Sequence, residues 1–579
     1  MKPRFRKLGI VAVAFALIVT GCSSKDKPES SGGGTTSSTQ AKPAASSVLR
    51  IKDKGVTAKG GTVYVLQDGD FTSLDPANNY RTESEDVGRL IYRSLTFAKD
   101  TPGEDLSIQP DLAESLGTSS DGGRTWTYRL REGLKYEDGV PITAQDVKYG
   151  VMRSFESDMF TDGATWMPDL LVNETGFKGP YATPDKDLTS VETPDDRTLI
   201  FHFSGPQPDA DWIMSMLYTV PVPKDKDTKQ DYGNRPVSSG PYKIETYDHS
   251  TLLTLVRNEN WDPATDPNRP AYPDRFQVEL NAEAPAARER LLKGNGNDAF
   301  AVPLGTWLSA DDSAKAEDPA LQARFVNGPG PCVEYLTMNT QKLKDPNVRH
   351  AIALAIDRQG IQKIGGGELF GTKVDSVIPA AIPGYVAPDL GLKPAGDPDA
   401  AKKLLEGKTV PPLHFAVEDP LIDSSKKEID QIQANLKTIG LEMIVETRPS
   451  EELTELIDGP GAPELSWGAW CFDWPTAGSI VLPLLGPNSD GTSWGSKNTA
   501  KYYDPKFSDQ LQALRSSSDE SAAIAKKFVD IANEIQTTAW PYLPTRQQND
   551  PVIVGANLTN VGISPMWSEV DLNTIAVKK

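Results

Sequence analysis

Histidine and cysteine, which carry much of the nucleophilic and metal chemistry of proteins, are scarce in this chain. Its 579 residues include four histidines, at His202, His249, His350 and His414, and three cysteines. The histidines are scattered without metal-ligand spacing, and three cysteines are too few for a cysteine-rich zinc module. The residues therefore predict neither a metal site nor a cofactor. Any general base would have to be a carboxylate or a lysine.

One segment looks at first like a phosphate-binding loop. Residues 366–373 read Gly-Gly-Glu-Leu-Phe-Gly-Thr-Lys. In a true phosphate loop the lysine precedes the Ser or Thr and a hydrophobic strand leads into the loop, and neither condition holds here. We therefore interpret this segment as an ordinary loop. The sequence predicts that the protein is not an enzyme; an extracellular hydrolase remains the alternative, and a labelled peptide would test it.

A short apolar segment near the start of the sequence is followed by a cysteine. Four basic residues precede it: Lys2, Arg4, Arg6 and Lys7. The run 8–19, roughly 12 residues, is too short for a permanent membrane helix. It ends in Val19-Thr20-Gly21-Cys22, which is typical of a bacterial lipoprotein processing site. We expect residues 1–21 to be a signal peptide and Cys22 to be lipidated; a plain secretory signal with an incidental cysteine is the alternative.

The next segment, residues 22–59, is predicted to be a flexible tether. It is rich in Ser, Gly, Thr, Lys and Pro, and no aromatic residue stands between Phe15 and Tyr64. Such a composition buries too little apolar surface to offset the entropy lost on ordering. We therefore expect a folded part that starts near residue 60 and lies outside the cytoplasm, held to the outer face of the cell membrane by lipid.

The overall composition narrows the function classes further. Of all residues, 38% are hydrophobic, which suffices for large cores and more than one domain. The net charge of −20 argues against a nucleic-acid partner, because such a surface needs Lys and Arg to neutralise phosphates. No other apolar run approaches the length of a membrane-spanning helix.

Beyond residue 60 the sequence alternates strand and helix patterns. Apolar residues alternate over 413–417, recur at helical spacing over 429–439 up to Gly440, and form a strand pattern over 441–447. This strand–helix–strand order predicts a parallel pair with a right-handed crossover. Helix starts are marked by the capping-box pair Thr143 and Asp146 and by Asp-Pro at 345–346 and 397–398. The fold class is α/β, in more than one lobe.

Several longer motifs resemble the family 5 extracellular solute-binding proteins, the peptide and nickel receptors of ABC importers. The matching segments are Asp111-Leu-Ala-Glu114, Trp126-Thr-Tyr128, Gly133, Asp138-Gly139, Thr143-Ala-Gln-Asp146, Ser239-Gly240-Pro241-Tyr242, Asn258-Glu-Asn-Trp261, Tyr335-Leu-Thr-Met-Asn339 and Val348–Arg358. The resemblance extends from about residue 60 to the end of the chain.

The resemblance implies a periplasmic-binding-protein-like, two-lobed hinge fold of the large three-domain type, with mixed β-sheets. Three lobes would follow. Lobe I would comprise residues 60–97, 190–331 and 541–579, lobe II would be the insertion 98–189, and lobe III would span 332–540. Two strands would cross between lobes I and III, with hinges near 328–330 and near Trp540-Pro541.

The resemblance also points to a ligand site. Trp470-Cys471-Phe472-Asp473 is similar to the segment of oligopeptide receptors whose backbone pairs with an extended peptide, and whose Asp receives the peptide's α-amino group. A turn or helix cap near Pro475 is the alternative role for Asp473. Arg81 and Thr82 stand where the family places a ligand-facing loop, although this sequence departs from the usual pattern there.

In the oligopeptide-receptor branch, a disulfide joins the two regions that contain Cys332 and Cys471. The resemblance therefore implies that these cysteines pair, which suits an oxidising compartment. Two separate buried thiols are the alternative. Four tryptophans crowd the same window of sequence: Trp467, Trp470, Trp474 and Trp494. They could line side-chain pockets, stack on sugar rings or simply pack in a core.

The resulting hypothesis is a monomeric receptor that captures oligopeptides in an interlobe cleft and delivers them to the permease subunits of an ABC importer. Hinge closure would trap the ligand, because a ligand that contacts both lobes binds the closed state better. Three alternatives stay open at this point: the same fold binding an oligosaccharide, the same fold binding a metal chelate, and a peptide sensor without a transport role.

Overall fold

The computed structural model describes residues 49–308, 312, 315–316, 318–419, 423–488, 491–517 and 521–578. The expected signal peptide, the lipidated Cys22 and the tether up to residue 48 lie outside these residues. Within them, no helix is both long and apolar enough to cross a membrane.

The strands are β1 (Thr62–Gln67), β2 (Thr96–Lys99), β3 (Ser107–Pro110), β4 (Thr118–Ser120), β5 (Thr125–Arg129), β6 (Val191–Asp195), β7 (Thr198–His202), β8 (Tyr242–Asp248), β9 (Leu252–Arg257), β10 (Arg275–Glu279), β11 (Ala301–Leu304), β12 (Phe325–Val326), β13 (Pro329–Met338), β14 (Gly371–Thr372), β15 (Leu413–Glu418), β16 (Met443–Arg448), β17 (Leu465–Cys471), β18 (Tyr542–Asn549), β19 (Val552–Ile553), β20 (Leu558–Thr559) and β21 (Ala576–Val577).

The α-helices are α1 (Thr82–Ile91), α2 (Ala144–Arg153), α3 (Trp166–Leu170), α4 (Ala210–Ile213), α5 (Ala284–Lys293), α6 (Pro319–Gln322), α7 (Pro346–Ala355), α8 (Arg358–Ile364), α9 (Pro398–Leu405), α10 (Asp423–Thr438), α11 (Ser450–Asp458), α12 (Gly478–Leu485), α13 (Pro505–Arg515) and α14 (Ser521–Ala539).

A five-stranded mixed sheet forms the first large body. Its order is β11-β1-β10-β9-β8, with β1 parallel to both neighbours and the β10, β9 and β8 pairs antiparallel. Val63 and Val65 of β1 are fully buried in this body. Helix α1 follows β1 and packs tightly nearby, since a Cβ on Gly88 would lie 3.2 Å from Leu217 Cδ1.

A six-stranded mixed sheet forms the second large body, in the order β14-β18-β13-β17-β15-β16. The predicted strand–helix–strand unit with a parallel pair is confirmed: β15 and β16 are parallel, with Leu413 opposite Met443, and α10 connects them. The predicted helix starts are also confirmed, because Asp345 and Asp397 accept backbone N–H bonds at the first turns of α7 and α9.

The chain passes between the two large sheets at two adjacent segments. Pro329 on β13 lies opposite Asn549 on β18, and Phe325 lies opposite Ile553 just beyond. Strand β18 therefore belongs to the six-stranded sheet, and the second crossing lies near residues 549–552 instead of near Trp540-Pro541. The reason is the long pairing of β18 with β13, which a strand pattern in sequence does not reveal. The lobe limits themselves remain a proposal.

The four-stranded sheet β4-β5-β7-β6 lies within residues 118–202. Helix α2 packs near it and begins as predicted, with the Asp146 carboxylate accepting from the Thr143 backbone N–H at 2.8 Å. At the other end of α2, Arg153 is fully buried and donates two hydrogen bonds to Asp75, at 2.6 and 2.7 Å. This ion pair joins the insertion to the loop that follows β1.

The folded chain begins earlier than residue 60. Arg50 exchanges backbone hydrogen bonds with Asn327 at 2.8 and 3.1 Å, and Lys52 does so with Val561 at 2.8 and 3.2 Å. The expected tether over 22–59 is therefore wrong for residues 49–52, which form a short strap beside the first crossing. Leu49, Arg50, Ile51 and Lys52 alternate apolar and polar side chains, but this run is too short to predict a strand without its pairing partners.

Candidate functional site

Strand β17 presents a backbone edge that no described strand covers. Its partner β13 pairs along its whole length, from Cys332 opposite Cys471 to Met338 opposite Leu465. On its other side, β15 pairs only with Leu465 and Ser466. The edge over residues 467–471 is thus open as far as the structure describes the chain.

The direction of the open backbone groups follows from the alternation of an antiparallel pair. The Asn339 N–H donates to the Glu464 carbonyl at 2.9 Å, so every second residue of β17 from Glu464 onward faces β13. The N–H and C=O groups of Trp467, Ala469 and Cys471 therefore point away from β13. An extended chain beside this edge would find free donors and acceptors at peptide spacing.

The end of β17 is tied to its neighbour by a covalent bond. Cys332 and Cys471 form a disulfide across directly opposed positions, 139 residues apart in sequence. Cys332 is 9% exposed, and Cys471 is exposed at the strand end. The disulfide thus holds the last residue of the open edge, two positions before Asp473.

Asp473 accepts a short hydrogen bond from the Tyr80 hydroxyl. Tyr80 stands just before α1, so this bond joins the first large body to the second. Burial raises the pKa of Asp473 to about 6, although the Tyr80 bond acts to lower it. Burial and the nearby Asp473 charge raise the pKa of Tyr80. The carboxylate has no positively charged side chain among the groups that shift its pKa, and is therefore prepared for an external cation.

Aromatic side chains surround this carboxylate. Trp166 lies edge-on to Trp474, with ring centroids 5.3 Å apart. The Trp474 indole and the Thr476 hydroxyl both donate to the half-buried Asp209, each at 2.9 Å, which anchors the segment after Asp473. The indole N–H of Trp166 is buried and has no hydrogen-bond partner among the described residues. Its effect on the Tyr80 hydroxyl is to lower the pKa of Tyr80.

A second carboxyl group lies behind Tyr80, on the first turn of α1. Glu85 is 4% exposed, and its N–H donates to the Arg81 carbonyl at 2.9 Å. Burial raises the pKa of Glu85 to about 8; Arg89 opposes this rise and the Asp473 charge adds to it. Tyr218, buried with a hydroxyl that has no described partner, feels the charges of both carboxyl groups.

The structure brings only part of the predicted residue set together. Arg81 caps the start of α1 and is exposed, and Thr82 is the first residue of α1, with its hydroxyl 3.4 Å from Glu83. Their neighbour Tyr80 makes the contact with Asp473 instead. Phe472 is buried in the core, and the Trp470 indole donates to the Ser479 carbonyl at 3.3 Å. Their roles toward a ligand remain predictions.

Sequence reasoning did not find Tyr80, Trp166, Glu85 or Asp209 as site residues. Tyr80 directly precedes Arg81 and Thr82 in the sequence and could have been weighed with them. The others carry no local signal, because a tryptophan or a carboxylate in an acidic chain is ordinary. They come near Asp473 only because the fold brings distant segments of the chain together.

No nucleophile elbow forms at the Gly-x-Ser-x-Gly sequence found in the described part of the chain. Residues 491–495 do read Gly-Thr-Ser-Trp-Gly, but they lie in a run of turns and not between a strand and a helix, as a nucleophile elbow requires. Within the same described ranges, no group of three or more His, Cys, Asp or Glu side chains could hold a metal ion.

Curated relatives cover most of the chain. The probable ABC transporter periplasmic-binding protein SapA of Escherichia coli K12 is 28% identical over 468 residues, which is 76% of this chain and 78% of that protein. The glutathione-binding protein GsiB of Salmonella typhi is 24% identical over 531 residues, covering 87% of this chain and 92% of that protein.

Solved structures agree on the fold. Clavulanic acid biosynthesis oligopeptide binding protein 2 superposes with a TM-score of 0.80 at 30% identity, covering 92% of this chain and 99% of that one. Haemophilus influenzae OppA in complex with the peptide RPPGFSPFR superposes with a TM-score of 0.61 at 19% identity, covering 90% and 100%.

A family model settles the assignment of the chain. The model described as bacterial extracellular solute-binding proteins, family 5 Middle, matches residues 107–492, which is more than half of the sequence. The two-lobed fold class is confirmed by the structural neighbours, and the relatives are binding proteins of ABC transporters and not enzymes. The chain belongs to the family 5 bacterial extracellular solute-binding proteins.

Proposed function

We propose that this solute-binding protein is a lipid-anchored receptor that captures oligopeptides with a free amino terminus and delivers them to an ABC permease. The observation that carries the proposal is the open edge of β17, which ends at a partly buried carboxylate without a cationic partner. The anchor would be Cys22. Lobes I and III would close on the peptide from opposite sides.

The open edge of β17 would supply binding affinity that does not depend on the side chains of the peptide. The backbone groups of Trp467, Ala469 and Cys471 would pair with a peptide strand, as in other cases of strand addition. Because the disulfide holds Cys471 beside β13, the edge needs little ordering when a ligand arrives. Such a site suits a receptor for peptides of mixed sequence.

The carboxylate of Asp473 would fix the register of the peptide. An ammonium group beside a partly buried carboxylate gains a charge-assisted hydrogen bond, and removing one partner of a buried ion pair costs about 3–5 kcal/mol. The hydroxyl of Tyr80, which contacts Asp473 from the other large body, would then help to orient the carboxylate or give way to the ligand.

The aromatic groups near Asp473 favour a peptide over a sugar. Trp474 is 8% exposed and its indole is committed to Asp209, while Trp166 meets it edge-on. Trp474 therefore presents no broad open face for a pyranose to stack on. One relative is named for glutathione binding, one structural neighbour is named for oligopeptide binding, and another was solved with a bound peptide, which is consistent with a peptide ligand here.

Calorimetry with a library of di- to pentapeptides would test the proposal, with each peptide in free-amino and N-acetylated form. We expect the free-amino peptides to bind and N-acetylation to weaken binding at least 100-fold. Asp473→Asn should lower the affinity for free peptides by a similar factor and leave the acetylated forms nearly unaffected. Equal losses for both forms would remove Asp473 from this role. A library without any binder would contradict the proposed function.

The anchor needs a separate experiment. Labelled fatty acid fed to the expressing cells should enter the wild-type protein and be absent from the Cys22→Ala variant, which should be released from the membrane. Labelling of the variant at wild-type level would exclude Cys22 as the anchor without affecting the ligand assignment.

A further inference from the structure

Tyr80 connects two carboxyl groups of this site: its hydroxyl donates to Asp473, and the helix that follows it, α1, carries the buried Glu85. Asp473 stands at the end of the open edge, and Glu85 stands on α1 behind Tyr80. Glu85 and Gly88 share one helix face because they are three residues apart. That face packs on Leu217, next to Tyr218.

We propose that Glu85 is a proton-exchanging member of this site, which holds a proton in the empty receptor and gives it up when a cationic amino group binds at Asp473. The inference rests on the proposed function and adds a residue that acts through its charge. Glu85 is a positioning residue in this scheme, because it does not touch the ligand.

The surroundings of Glu85 explain why the proton stays in the empty receptor. Arg89, one turn further along α1, is the nearby cation, but it already makes hydrogen bonds of 3.0 and 2.6 Å with Asp100. The structure gives the Glu85 carboxyl group no hydrogen-bond partner among the described residues. Arg269 lines the same small cavity and is bound to Asp111 and Asp266. A buried carboxyl group without a free cation remains neutral.

The remaining groups that act on Glu85 or share its site are neutral or of like charge. Tyr80 and Tyr218 carry phenol groups whose pKa values are raised by burial, so they stay neutral near pH 7. Asp473 carries the like charge, and it raises the pKa of Glu85. Glu85 also borders a cavity of about 20 Å³, room for roughly one water molecule that could carry the proton away.

A bound ammonium group would reverse this balance. It neutralises the Asp473 charge and adds an attraction for a second carboxylate, so the pKa of Glu85 falls. A fall of one unit corresponds to an about tenfold gain in affinity at a pH where Glu85 is ionised. Starting from a pKa of about 8, binding at pH 7.5 would then release about half a proton from Glu85.

Calorimetry in buffers of different ionisation enthalpy tests this inference with the tightest free-amino peptide from the library above. Wild-type protein at pH 7.5 should release about half a proton more than Glu85→Gln, an uncharged isostere of the protonated side chain. Glu83→Gln, on the same helix turn but partly exposed, is the matched control and should behave as wild type. The difference between variants cancels the titration of the peptide itself.

The pH profile gives an independent readout. The Kd of Glu85→Gln relative to wild type should be near 1 at pH 6 and rise toward about tenfold at pH 8.5. A merely structural role would change the ratio equally at every pH. Tight binding with equal proton release by both proteins would overturn this inference and leave the proposed function intact. A library without any binder would overturn both.

Discussion

The two junctions of the first large body differ in how their charges are satisfied. At the junction with the insertion, Arg153 is fully buried, is paired with Asp75 and also bonds to Tyr181 and to the Lys229 carbonyl. At the junction with the six-stranded sheet, the Tyr80 hydroxyl is the only polar side-chain partner of Asp473 among the residues that the structure describes.

This difference in how the charges are satisfied indicates that the two junctions have different roles. A buried ion pair with all its hydrogen bonds made resists separation, because each charge would be left alone in a poor solvent. A buried carboxylate without a cation costs stability and retains the capacity to bind one. We therefore expect the insertion junction to be a permanent brace and the other junction to be the place where a ligand completes the structure.

Breaking the brace should have the largest effect. Arg153→Met leaves the buried Asp75 carboxylate without its cationic partner and should lower the free energy of unfolding by about 3–5 kcal/mol, measured by urea titration. Arg129→Met is the matched control, since Arg129 is about half exposed and 3.7 Å from Glu114, and its loss should cost under about 1 kcal/mol. Equally small losses of unfolding free energy in both variants would contradict the role of the Arg153–Asp75 ion pair as a permanent brace.

Removing the disulfide should have the next largest effect. Cys332→Ala combined with Cys471→Ala frees the end of β17 and should lower the free energy of unfolding by about 2–4 kcal/mol. Peptide affinity should fall as well, because the open edge would have to be ordered on binding. Thermal unfolding and calorimetry measure the two effects; unchanged affinity would show that the edge is rigid without the bond.

Acid should weaken ligand binding at the unsatisfied junction. Because burial raises the pKa of Asp473 to about 6, its charge is largely present at pH 7 and is lost as the pH falls below about 6. Affinity for a free-amino peptide should therefore fall about tenfold for each unit of pH below that value. Asp473→Asn should show no such fall, and a flat wild-type profile from pH 7 to pH 4.5 would contradict the assignment.

Removing the Asp473 charge should raise the free energy of unfolding by a small amount, whereas breaking the Arg153–Asp75 ion pair should lower it. A carboxyl group whose pKa is raised in the folded state stabilises the fold at low pH, and this contribution is lost as the pH rises from about 4 to about 6. Asp473→Asn should thus be more stable than wild type by about 1 kcal/mol at pH 7, after allowance for its partial exposure. At pH 4 the difference should vanish in thermal unfolding; destabilisation at pH 7 would show that the charge is already satisfied.

Local signals explain which parts of the fold were predictable. The Asp-Pro caps of α7 and α9, the capping box of α2 and the β15–α10–β16 crossover are each encoded within a few residues or one strand–helix–strand unit. The family motifs and Asp473 are likewise read from contiguous segments. These features depend on neighbours in sequence, whose interactions do not require knowledge of the rest of the chain.

The strap and the second crossing show what local signals miss. Residues 49–52 follow a tether-like composition and alternate apolar and polar side chains over only four positions, yet backbone bonds to Asn327 and Val561 order them. Strand β18 has a strand pattern, but its sheet is decided by pairing with β13. Partners hundreds of residues away leave no trace in a single sequence.

The sequence by itself determined the α/β class, the family motifs, the carboxylate Asp473 and the two cysteines that meet at the end of β17. Only the tertiary structure decided that Tyr80 touches Asp473, that Trp474 is held by Asp209 and that Glu85 shares the same buried surroundings. The physical reason is that the charge balance around a residue depends on the groups that folding brings near it, and not on the residue type alone. A carboxylate in an acidic chain becomes a site only when folding buries it and brings no cation to it.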